Sequence, residues 1–259
     1  MQLSECSEPL AYQAALSFLA LQDVDGYDLK YFGQDSLELC RIFRTLAIIA
    51  LLVKNDTDKF LHHLIRSAGV REVYLTRLKK EGALPELHFI SGRYDGLLDA
   101  IASGNSELAA RIAWVSPREW DKRYEYEDDF CYAQMLHRLV HGVQATAAYH
   151  PFIDRFEEIL KGQTCPRLEI VRALVLRSQI DFDNSFEALL QERQDEIAAN
   201  IARCQLEEPQ IVAERQVFVE GLALLRLAAN VGLTTQTEYL YCPSNARLPM
   251  RTPVPIIRS

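Results

Sequence analysis

Membrane-length apolar runs, clustered cysteines and glycine-rich phosphate loops are all missing from this chain of 259 residues. No stretch reaches the roughly 18 apolar residues that a membrane span needs. The six cysteines, at positions 6, 40, 131, 165, 204 and 242, are never closer than 34 residues. Zinc and redox motifs place cysteines a few residues apart, and a chain of this size can build a core without disulfide staples. Free thiols in a reducing compartment follow. Residues 1–22, MQLSECSEPLAYQAALSFLALQ, carry Glu5 and Glu8 where a signal peptide would carry basic residues, so a cytoplasmic location is expected. GxSxG, HExxH, CxxC and P-loop motifs are absent, which removes the usual nucleophile, metalloprotease and nucleotide chemistries. No enzyme activity and no cofactor are expected. A cationic surplus is missing too. With 28 Lys and Arg against 36 Asp and Glu, the net charge of −8 argues against nucleic acid as a direct ligand. It suits a basic protein partner.

What is present is helical periodicity, nearly everywhere. Apolar spacing predicts helices over Glu8–Leu21, Ser36–Val53, Thr57–Lys79, Leu97–Ala102, Ser106–Ala113, Asp128–His141, Pro151–Leu160, Pro166–Arg177, Asn184–Cys204 and Pro209–Asn230. Ser36, Asp128, Pro166 and Pro209 read as caps or first-turn residues. Strand signals are few, the best being Val24–Leu29 and Glu238–Tyr241. Residues 45–65 align weakly with 171–191, Asn55 meeting Asp181 and Phe60 meeting Phe186. Both read as a helix, a polar turn and a second helix. The expected fold is all-α, built of stacked antiparallel helical hairpins. A helical domain over 1–232 should stop at Gly232, a C-cap. Residues 233–259 hold four prolines from Pro243 to Pro255 and read as an extended tail packed on the domain. Leu240, Tyr241, Leu248, Met250, Ile256 and Ile257 would hold that tail down. Its three arginines from Tyr239 onward would place it near residues 181–214, where nine acidic residues face two arginines.

Two constellations compete for a function. His137 and His141 stand one turn apart on a predicted helix, the spacing of a metal pair. The motif is HRLVH, however, without the glutamate a metalloprotease needs, and no third ligand is in view. Metal is therefore not expected. The stronger feature is RYEYEDDF, where Tyr124, Glu125, Tyr126, Glu127, Asp128 and Asp129 follow closely on Trp120. Such a patch can steer a basic protein by charge and bury its aromatics on contact. Asp128 also reads as a helix cap, and Tyr126 and Phe130 as core. Glu187, Glu192, Asp195 and Glu196 form the alternative acidic surface.

The stretch LLDAIASGNSELAARIA, followed by Trp114 and then YEYEDDFCYAQMLHRLVHG, resembles the immunity protein 49 family of bacterial polymorphic toxin systems. VRALVLRSQIDFDNSFEALLQER extends the likeness more loosely. The resemblance implies an all-helical cytoplasmic protein that binds and neutralises a cognate toxin, often a nuclease. Type VI secretion or contact-dependent inhibition would deliver that toxin. It brings no catalytic residues. A helical-hairpin adaptor for another bacterial protein, and a metalloenzyme using His137 and His141, are the alternative readings.

Overall fold

The computed structural model describes residues 3–22, 29–82, 87–203 and 208–255. Among them it is all-α, with no named strand. The eleven helices are α1 (Ser7–Gln22), α2 (Leu29–Leu52), α3 (Thr57–Glu81), α4 (Asp95–Ala102), α5 (Ser106–Val115), α6 (Glu127–Val140), α7 (His150–Leu160), α8 (Pro166–Leu176), α9 (Gln179–Arg203), α10 (Pro209–Glu214) and α11 (Val219–Asn230). Helices adjacent in sequence pack on each other in the pairs α2–α3, α4–α5, α6–α7 and α8–α9. One apolar core runs continuously from Cys6 to Ala246.

The most extensive contact is α2 on α3. In α2 the run from Leu46 to Leu51 is buried without a break, so this helix is covered on several sides. Its neighbour α3 starts where Asp56 accepts the Lys59 N–H at 2.9 Å and stops at Gly82, whose φ of +62° is left-handed. Helices α4 and α5 then lie across α3, and α11 packs on α4. The α3–α4 crossing is tight because position 96 has no side chain. A Cβ on Gly96 would stand 2.5 Å from the Arg71 Cβ.

Helix ends depart from the periodicity where tertiary contacts take over. Ser36 is no cap; it lies buried inside α2, its hydroxyl bonded back to Gly33 O. Asp128 stands in the first turn of α6 rather than at its cap, because that helix begins at Glu127 and Tyr126 holds the cap position. The single helix expected over 209–230 is two, α10 and α11. Between them the Phe218 N–H donates to Tyr241 O at 2.8 Å, a bond no continuous helix could make. Glu238–Tyr241 is a turn, with one isolated bridge from Tyr239 to Cys242 and Tyr241 at φ +62°. Of the other strand candidate, residues 24–28 lie outside the described residues and Leu29 opens α2. The hairpins α2–α3 and α8–α9 do recur. Their left-handed turn residues are Asn55 and Arg177, so the register pairing Asn55 with Asp181 is not the structural one.

Of the residues expected to hold the tail down, Tyr241 alone among the described ones does so, and others join it. Cys242 and Ala246 are buried, with Tyr239 and Tyr241 against the core, whereas Leu240, Leu248 and Met250 are exposed. Ile256 and Ile257 lie outside the described residues. Tyr239 meets Phe186 of α9 edge-on, yet neither Arg247 nor Arg251 pairs with the acidic stretch among the described residues, and Arg258 lies outside them. Arg247 binds carbonyls of its own segment, and Arg251 donates its backbone N–H to Asp58 of α3.

The Gly96 contact predicts an asymmetric pair of variants. Gly96→Ala should destabilise by about 1–3 kcal/mol, as overpacking does. Gly69→Ala, on α3 with nothing within 4 Å of its Cβ, should stabilise by roughly 0.5–1 kcal/mol. Urea unfolding of both measures it, and equal effects would show that the α3–α4 crossing is loose.

Candidate partner-binding face and its charge network

Charges set singly into apolar runs converge in the interior. Arg44 of α2 reaches α4, where it meets Asp99 at 2.8 Å and Asp95 at 2.9 Å. Asp99, with no exposed surface, also accepts the Ser67 hydroxyl of α3 at 2.5 Å. Burial pushes the Asp99 carboxyl up to about 6, with Arg44 opposing. Burial likewise works against the Arg44 charge, yet Asp99 and Asp95 hold its pKa above the usual value. Farther along, Arg167 of α8 grips Glu220 of α11 with two bonds, at 2.6 and 2.8 Å, and the Tyr132 hydroxyl of α6 donates to the same carboxylate at 3.1 Å.

A cavity of about 280 Å³ lies between these two networks. Arg44, Arg167 and Arg193 reach it, and each is matched: Arg44 by Asp95 and Asp99, Arg167 by Glu220, Arg193 by Glu196. Asp129 and Glu214 line it without an ion pair among the described residues. A second cavity of about 420 Å³ shares Arg44, Asp95 and Glu214 with the first.

The acidic-aromatic run reaches the first cavity through Asp129, and the structure divides its members. Glu125 is turned inward. It accepts the Gly92 N–H at 2.7 Å and contacts the Ser91 hydroxyl at 3.3 Å, tying the segment before α4 to the segment before α6. Burial raises its pKa, with the Gly92 bond opposing. Glu127 is taken by Arg155 of α7 in two bonds of 2.7 Å, which lower its pKa. Trp120 is exposed and donates its indole N–H to Glu125 O at 3.1 Å. Tyr124 lies under the Arg123 guanidinium, which Asp121 also holds. Tyr126 is 79% exposed, contrary to its reading as core, while Phe130 is buried. Asp128 forms no ion pair among the described residues, and Asp129 takes only a long contact of 3.4 Å from the Tyr94 hydroxyl. Burial raises the Asp129 pKa, with Asp128 adding repulsion.

The four candidate acids on α9, Glu187, Glu192, Asp195 and Glu196, are exposed but not alike. Glu196 pairs with Arg193, and Asp195 accepts from Gln191. Glu187 lines a groove with Tyr239. Burial raises the Glu192 pKa, and Arg167 and Glu220 act on it as they act on Asp129. Thus Asp129 and Glu192, from separate patches, share one pair of charged neighbours.

Periodicity pointed to none of the inner partners. The signal that would have found them is local: Arg44 in RIFRTLAIIALL, Asp99 in LLDAIA and Glu220 in VEGLALL are lone charges in apolar surroundings. A charge there needs a partner inside. His137 and His141 gain no third ligand, and among the described residues no three His, Cys, Asp or Glu side chains gather as a metal set. No helix of the described residues is long and apolar enough to cross a membrane.

The family model described as Immunity protein 49 matches residues 63–246, most of the chain and well beyond the stretches that carry the likeness in sequence. No curated protein and no solved structure matches the chain.

The Asp99 site has a pH signature. Its carboxyl titrates near 6 when folded against 3.8 as the ordinary value, so between those limits the folded chain holds more protons than the unfolded one. Stability from this group therefore falls as pH rises through that window. Asn does not titrate. Asp99 is itself protonated at pH 4, so Asp99→Asn should lose stability there through the poorer fit of an amide between Arg44 and Ser67 rather than through lost charge, and the gap to the wild type should narrow by pH 7. Urea unfolding of both proteins at each pH measures this; a gap that widens contradicts it.

Proposed function

Because this chain belongs to the Immunity protein 49 family, we propose that it binds and neutralises a cognate antibacterial toxin, a nuclease with a basic surface, in the cytoplasm of the producing cell. The face we assign to the toxin comprises Trp120, Tyr124, Tyr126, Asp128 and Asp129, of which Asp129 also lines the 280 Å³ cavity. One observation carries the assignment. Exposed aromatic rings stand beside carboxylates that the protein leaves without ion pairs, while its neighbours Glu125 and Glu127 are engaged internally.

That division gives each group a task. Tyr126 is a large amphipathic side chain free to be buried by a partner, and Tyr and Trp dominate binding energy at interfaces. Asp128 and Asp129 are available to arginines or lysines, and the net charge of −8 steers a basic protein toward them. Glu187, Glu192, Asp195 and Glu196 extend the negative field along α9. Glu125 supports the loop from beneath. Covering the toxin's phosphate-binding surface would inhibit it by occupancy, with no reaction on the immunity protein's side.

Binding to the product of the neighbouring gene tests this reading. Tyr126→Ala should weaken the complex by about 2 kcal/mol or more. Asp128→Lys with Asp129→Lys should slow association and flatten its salt dependence. Glu125→Lys is excluded from the set because it would break the bonds to Ser91 and Gly92. If all three substitutions together fold and still bind the toxin at the original rate, the face is elsewhere. If no toxin is recovered as a partner, the immunity reading gives way to that of an adaptor.

A further inference from the structure

The histidine pair has a different use from the one its spacing suggested. His137, His141, Arg118 and Arg138 meet around a cavity of about 260 Å³. No carboxylate lines it, in a chain whose Asp and Glu outnumber its Lys and Arg by 36 to 28. Neither Arg118 nor Arg138 has an ion pair among the described residues. Four cationic or imidazole groups with no counter-charge repel a metal cation. They attract an anion.

The groups are positioned rather than loose. Arg138 donates its Nε to Ala148 O at 2.9 Å and one Nη to Gln134 O at 2.8 Å, leaving its other Nη uncommitted. Its guanidinium also lies over the Phe152 ring. Arg118 stacks on Trp114, 5.0 Å from the ring centre, with no donor engaged by the described residues. The Gln134 amide donates to Pro117 O at 2.9 Å and ties the segment carrying Arg118 to α6. His137 is 6% exposed, yet neither of its ring nitrogens has a hydrogen-bond partner among the described residues. Its ring is not sealed off from the cavity it lines, so a ligand there can reach a nitrogen that no described protein group occupies.

We propose that this cavity binds a phosphate-sized oxyanion, with Arg118 and Arg138 supplying charge, His141 donating a ring N–H from its exposed position and His137 one from inside. Free phosphate and the phosphate of a mononucleotide share that chemistry. Empty of an anion, the site keeps His137 neutral. Burial drives its pKa down to about 3, with His141, Arg138 and Arg118 adding to the fall. An anion seated among these groups offsets their repulsion and raises it.

Proton NMR of the His137 ring in the full chain tests the proposal, with phosphate added against chloride at matched ionic strength. A saturable shift at millimolar phosphate is expected, together with a higher Tm from linkage. Arg118→Glu, at an exposed position, should weaken the response at least tenfold while leaving the circular dichroism unchanged. His141→Ala, also exposed, should weaken it less. Adenosine monophosphate and adenosine form the second arm. A tighter monophosphate than phosphate supports the site and assigns it to an ester, and equal affinity supports it as a site for the free ion. No saturable shift with phosphate, a shift that survives Arg118→Glu, or a shift with adenosine alone overturns the proposal. Toxin binding enters none of these readouts.

Discussion

The hold of Arg44 on Asp99 is the constraint on which the remaining arrangement rests. Asp99 has no exposed surface, and an uncompensated charge there would cost several kcal/mol. Arg44 and Ser67 supply the compensation from two different helices, so α4 can sit in only one place against α2 and α3. That place brings Gly96 onto Arg71 and lets α11 cover α4. It also sets Arg44 in the wall of both central cavities. Arg71, buried beside this network, donates to His88 O and Ile90 O and so fixes the strand of chain leading into α4. The candidate face hangs on that segment through Glu125.

Helix α6 links the two proposed surfaces and gives them opposite polarity. Its first turn carries Glu127, Asp128 and Asp129, and its last turn carries His137 and Arg138. This order matches the helix dipole, positive at the start and negative at the finish. A single element thus carries carboxylates at one end, where we propose a basic macromolecule docks, and an arginine and a histidine at the other, where we propose an anion binds. The Arg167–Glu220–Tyr132 cluster anchors the middle of the helix to α8 and α11.

Most of the fold was legible because apolar spacing reports which face of a helix is buried, whatever it is buried against. Pro166 and Pro209 opened their helices as read, since a first-turn proline lacks only an N–H that would have been unpaired anyway. Misread ends share a cause that spacing cannot carry. The break before α11 depends on Tyr241, more than twenty residues later. The inward turn of Glu125 depends on Gly92, which is 33 residues away. A run of acidic letters looks uniform in sequence; Arg155 and the Gly92 amide are what separate the engaged carboxylates from the free ones. The histidine pair was read by its own spacing, whereas its character is set by Arg118 and Arg138 around it.

The clasp between residues 251–252 and Asp58 joins positions 193 and 194 residues apart. During synthesis the first turn of α3 emerges early, with Asp56 as its local cap, yet Asp58 must wait for its distant partners. His62, one turn on, waits for the same segment, since its ring nitrogen meets Thr252 O at 2.8 Å. Pairings this remote are slow to close and leave intermediates exposed to aggregation or proteolysis. A nascent chain cut short anywhere before the clasp carries an unfinished α3 and an uncovered flank. Until the clasp closes, Asp58 and His62 lack these partners and turn to water instead.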